Sequence, residues 1–108
     1  MAAYAATSKF PRDEKFGLIS QIRRAAASIP ANIAEGCGKD SNPDYHRFLQ
    51  TASGSASELE YHFLLAHELH LVTSDEYKKL DGTIKEVRRM LAALIRHVAA
   101  SPTGQSND

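Results

Sequence analysis

The stretch that decides the fold is Lys15–Gly38, KFGLISQIRRAAASIPANIAEGCG. Ile19, Ile22, Ala26, Ile29 and Ile33 recur at steps of three and four, so they form one stripe along a helix, and such a stripe faces a core. Other helices must cover it. Pro30 lies inside the pattern, where the missing N–H and the clash of its ring with the Ala26 carbonyl cost about 3 kcal/mol in an exposed helix. Packing or a kink has to compensate. Arg12-Asp13-Glu14 set acids at the positive end of the helix dipole, and Gly36 and Gly38 supply stop signals, so the expected helix spans 13–36. Arg23, Arg24, Ser20, Ser28, Asn32 and Glu35 form a polar edge beside the stripe, suited to pairing across helices or to ligand contact.

Downstream, Asp40-Ser41-Asn42-Pro43 reads as a turn and a helix start, with Ser41 or Asn42 as cap and Pro43 near the first helical position. A helix over 43–71 follows, its main stripe being Leu49, Ala52, Ala56, Leu59, Phe63 and Ala66. Its middle, Ala52-Ser53-Gly54-Ser55-Ala56-Ser57, is a run of small residues that predicts a tight crossing against Ala25, Ala26 and Ala27. Thr73 and Glu76 then have capping-box spacing. Tyr77, Leu80, Ile84, Val87, Leu91, Leu94 and Val98 repeat every three and four residues over three heptads, predicting a helix over 74–100.

Upstream, residues 2–8 read as a short alanine-rich helical stub closed by Phe10-Pro11, because a residue before proline is pushed out of the α region. At about 1.5 Å per residue the stub covers only part of the length of its neighbours. Either the helix starts upstream of Met1 or part of the bundle groove is left open. Residues 101–108, SPTGQSND, hold no apolar side chain and predict a disordered tail after a single domain over 1–100. No strand pattern occurs, and the short links imply antiparallel neighbours. The expectation is an all-α, antiparallel up-and-down four-helix bundle with a truncated first helix.

A chain of 108 residues suits one domain with one core. Thirteen basic and thirteen acidic side chains cancel, which weakens any reading that needs broad phosphate neutralisation. Cys37 is the only cysteine, so no intrachain disulfide can form and a reducing compartment is expected. No segment approaches the roughly 20 apolar residues of a membrane span. These features predict a cytoplasmic protein.

The run FPRDEKFGLISQIRRAAASIPANIAEG, continued in FLQTASGSASELEYHFLLAHEL and the final helix, resembles the 23S rRNA-intervening-sequence protein family, bacterial four-helix bundles that include accessory proteins of diversity-generating retroelements. The resemblance covers roughly Phe10 to Val98. It implies a homo-oligomer that closes into rings, commonly pentamers, with no known enzymatic activity and a suspected nucleic-acid role. In that family the helix corresponding to the stub begins many residues earlier.

Bond-making chemistry finds no support in the spacing. Four of the five histidines, His46, His62, His67 and His70, fall on one expected helix, but three residues after Glu58, Glu60 and Glu68 come Tyr61, Phe63 and Leu71, so the Glu-x-x-His pair of di-iron bundles is missing. His67-Glu68-Leu69-His70 places its second histidine one residue short of the zinc-protease motif. The histidines therefore read as surface or boundary residues. Gly36-Cys37-Gly38-Lys39 fails the phosphate-loop pattern at Ile33 and Asp40, and no nucleophile elbow occurs. We expect no enzyme, no cofactor, no metal, no small-molecule substrate and no membrane partner.

Charge distribution is more informative than charge total. Segments 1–29 and 74–100 carry a basic surplus and 41–71 an acidic one. Glu58 and Glu60 can pair with Arg23 and Arg24, within a subunit or between subunits, and with Asn32 and Glu35 they make up the structural polar set. Lys78, Lys85, Arg89 and Arg96 form a band on the last helix that is able to track phosphates, or a solvated face with pairs such as Asp81–Lys85. The first functional expectation is a non-catalytic oligomeric assembly or interaction module. The alternative is an RNA- or DNA-binding accessory protein using Arg23, Arg24, Lys85, Arg88, Arg89 and Arg96.

Overall fold

A computed structural model describes residues 9–100, with side chains from Lys15 onward. Three helices account for almost all of them: α1 (Lys9–Cys37), α2 (Asn42–Glu68) and α3 (Ser74–Ala100). The described residues contain no strand. The four-helix bundle expected from the sequence is thus corrected to three antiparallel helices. The stub over 2–8 lies outside the described residues, as does the tail over 101–108, and Phe10-Pro11 falls inside α1 rather than closing a preceding helix. The bias against helix before proline is a preference that a long helix overrides.

Local chemistry explains where the helices stop and start. Gly36 is buried within α1, and a Cβ on it would come 2.8 Å from the Tyr45 ring and 3.0 Å from Phe48 Cβ. Its role is close approach of two helices, not termination. Ser41 caps α2, its hydroxyl accepting from the Asp44 amide at 3.4 Å, with Pro43 in the first turn. Rather than reaching Leu71, α2 ends at Glu68: the Leu71 amide bonds back to the Ala66 carbonyl and the His70 amide to that of His67. This Schellman arrangement needs a left-handed residue, and His70 adopts it at φ 60°. The Thr73/Glu76 capping box opens α3 with both reciprocal bonds made, at 2.7 and 3.0 Å.

α1 and α3 each pack along α2 and scarcely meet one another. The result is an open layer, 63 × 23 × 14 Å over its Cα atoms with a radius of gyration of 17.7 Å, where a compact domain of this length would have about 13 Å. The core runs along α2: Leu49, Ala52, Ala56 and Leu59 meet Ala25 and Ile29 on one side and Ile84, Leu91 and Val98 on the other. The small-residue crossing involves Ala25, Ala52 and Ala56, with Ser28 and Ser55 hydroxyls 2.8 Å apart beside them. Ala26 and Ala27 stay exposed, and the space where a Gly54 Cβ would sit is empty.

Candidate interaction surfaces

The apolar stripes are wider than the faces α2 covers, and that mismatch creates the first surface. On α1 the buried positions are Leu18, Ala25 and Ile29, whereas Ile19, Ile22 and Ile33 are only half-buried and Ala26 is exposed. On α3 the heptad divides in the same way. Ile84, Leu91 and Val98 are buried, while Leu80, Val87 and Leu94 are half-buried. By helical register the half-buried sets of both helices lie on the side where α1 and α3 face each other across α2, above the half-buried Phe63. Met90, 61% exposed, stands on the rim. Among the described residues an apolar groove therefore runs between α1 and α3.

The second surface is polar and lies on the other flank of the α1–α2 contact. Gln21, Arg24, Ala25, Ser28, Ser55 and Glu58 line a notch of about 380 Å³, beside which the Asn32 amide donates to the Ser28 carbonyl at 2.8 Å and to its hydroxyl at 2.9 Å. His62 follows Ser55 and Glu58 on the same ridge of α2 and is buried. Neither of its ring nitrogens has a hydrogen-bond partner among the described residues. Nε2 is 3.7 Å from the Glu58 carboxylate, beyond hydrogen-bond length. Sequence reasoning placed His62 at the surface or boundary, although its spacing of three after Leu59 and four before Ala66 puts it on the buried stripe.

The charged residues singled out from the sequence separate into two groups. Glu60 joins α2 to α3, accepting from Lys85 at 3.0 Å and Arg88 at 2.5 Å, and these two bonds hold its carboxyl below the ordinary range. Lys85 also reaches Asp81, and the Asp81 and Glu60 carboxylates together raise its pKa. Arg89 pairs with Glu86, and Glu35 with Lys39 at 3.2 Å. Arg23, Arg24 and Arg96 are exposed and have no ion-pair partner among the described residues. Glu60 thus binds α3 cations rather than Arg23 or Arg24, and Glu58 lines the same notch as Arg24 without an ion pair between them. Structural pairing takes up half of the expected cationic set.

At the joined ends of α1 and α2 the exposed Cys37 thiol and the Tyr45 hydroxyl are hydrogen-bonded at 3.7 Å, and this bond, with burial, raises the tyrosine's pKa. Lys39 and Arg47 each lie 5.2 Å from the centre of the Phe48 ring. Among the described residues no group of three or more His, Cys, Asp or Glu converges to hold a metal ion, and no helix is long and apolar enough to cross a membrane.

A family model described as 23S rRNA-intervening sequence protein matches residues 1–93. The chain belongs to this family. A solved structure of a protein of unknown function from the S23 ribosomal protein family of Bacteroides thetaiotaomicron shares the architecture with a TM-score of 0.74. It is 26% identical, and the superposition covers 88% of this chain and 83% of that one. No curated protein matches the chain. Membership in the 23S rRNA-intervening sequence family leaves the activity open, so the surfaces themselves must carry the functional argument.

Proposed function

We propose that this member of the 23S rRNA-intervening sequence family is a non-catalytic assembly module that works through contacts with copies of itself. The observation that supports it is the apolar groove between α1 and α3, whose walls are the most regular hydrophobic patterns of the chain and remain half-exposed in one copy. Contiguous apolar surface of that extent marks an interaction site. Light scattering on the chain at micromolar concentration checks this directly: the expected mass is a multiple of 11.8 kDa, and a folded monomer rejects the reading.

A second reading, a nucleic-acid accessory role akin to that of retroelement accessory proteins, is favoured by one observation: Arg23 and Arg24 are exposed neighbours without an ion-pair partner among the described residues. Lys85, Arg88 and Arg89 add to it only if phosphates displace their carboxylates, an exchange made inexpensive by the low worth of exposed ion pairs, about 0–1 kcal/mol each. Structured RNA is then expected to bind with an affinity that falls steeply with salt. Undetectable binding at about 50 mM salt dismisses the role.

A further inference from the structure

We propose that the flank of the α1–α2 contact turned away from the α1–α3 groove binds a free amino acid with a large apolar side chain, in a site built on His62. Two recesses lie end to end there. The polar notch of about 380 Å³ holds Arg24 and Glu58, an apolar recess of about 340 Å³ is walled by Leu18, Leu65 and Leu69, and Gln21 lines both. Each has the size of a small-molecule site. Counted antiparallel from the Ser28–Ser55 contact, Gln21 stands level with His62 and Leu18 with Leu65, which places His62 where the two recesses meet.

The chemistry of that junction selects the ligand. His62 is 5% exposed, and neither ring nitrogen has a partner among the described residues. Buried polar groups are almost always bonded, so the imidazole is equipped for a donor that those residues do not supply. Its Nε2 and the Glu58 carboxylate are 3.7 Å apart. That is too far for a bond between them, but it is a span that one ammonium bridges by donating to both at about 2.8 Å. Arg24 and Glu58 share the notch without an ion pair between them, so an anion alone would meet Glu58 and a cation alone would meet Arg24. A head that carries both charges satisfies the two: its α-carboxylate lies on Arg24 and its ammonium between Glu58 and His62. From there Leu65 is about 7 Å further along the helix, within reach of a phenylalanine side chain from its own nitrogen. Gln21 and Glu58 are exposed, and surface side chains change rotamer in picoseconds to nanoseconds, which admits the head to Nε2.

The test is titration of the full, nitrogen-15-labelled chain with L-phenylalanine up to about 10 mM, followed by amide chemical shifts. Saturation with a Kd at or below about 1 mM is expected, with shifts gathered around Gln21, Arg24 and His62. N-acetyl-L-phenylalanine lacks the ammonium and L-phenylalaninamide the carboxylate; each is expected to bind about 10-fold more weakly or worse, the worth of one charge-assisted hydrogen bond. Glycine, without the apolar side chain, falls at least as far. Arg24→Ala and His62→Leu are each expected to weaken binding about 10-fold or more, whereas Arg23→Ala, at a residue that does not line the notch, leaves it unchanged. Arg24 is exposed, so its variant keeps the fold, as circular dichroism verifies, and it carries the test should His62→Leu disturb the packing. No saturable shift at 10 mM, equal binding of either blocked derivative, or binding indifferent to Arg24→Ala overturns the site.

Discussion

Gly36 and Gly54 show how one residue type serves opposite ends in neighbouring helices. Added at Gly36, a methyl would lie 2.8 Å from the Tyr45 ring, so Gly36→Ala forces α1 and α2 apart and is expected to cost about 1–3 kcal/mol, the usual range for overpacking. Gly54 has open space around it, and Gly54→Ala should stabilise the protein by about 1 kcal/mol through helix propensity alone. Urea unfolding of the two variants separates these outcomes by sign. The sequence shows a glycine at each place, but close approach depends on which partner residue lies across the contact. Gly36 therefore reads as a stop signal and Gly54 as a packing site until the register of α1 on α2 is known. The Ser41 cap and the Thr73/Glu76 box were legible because their partners are three residues away in the chain.

Among elements, α3 is attached to α2 by a seam of Ile84, Leu91 and Val98 and by the Glu60 bonds to Lys85 and Arg88. The carboxyl of Glu60 is held below its ordinary value, so it contributes stability above its unfolded-state pKa and loses that contribution as pH falls through the folded value. Glu60→Gln is expected to lower stability at pH 7 by about 1 kcal/mol, with the gap between the two proteins closing in the acid range. Denaturant titrations at pH 7 and pH 3 measure both. Helix existence, antiparallel order and the heptad of α3 follow from periodicity within each segment. Which half of each stripe is covered does not, because that depends on how far α1 and α3 are rotated about α2. The expected stripe of α1 proved to straddle the edge of the buried zone, and His62, the one buried histidine among the described residues, was passed over although its spacing from Leu59 and Ala66 sets it on the buried stripe.

At the scale of the whole molecule, the described residues form three helices in an open layer in place of the closed four-helix packet that the resemblance implied. The candidate site is divided in the same way. Periodicity exposed the apolar surface, whereas the pairing of Lys85 and Arg88 with Glu60 required knowing that Glu60 faces α3. A layer also differs from a packet in how it comes apart. Among the described residues each outer helix packs mainly on α2, as in a linear repeat array, so stability is close to a sum of nearest-neighbour terms.

Among the described helices α2 alone has company on both flanks, and detachment of either outer helix still leaves it shielded by the other. Its amides should therefore exchange with deuterium more slowly than those of α1 and α3, and only when the entire chain opens. Equal exchange rates in all three rods would mean that they let go together. The middle helix is the spine on which the outer two can be peeled back and laid down again, one at a time.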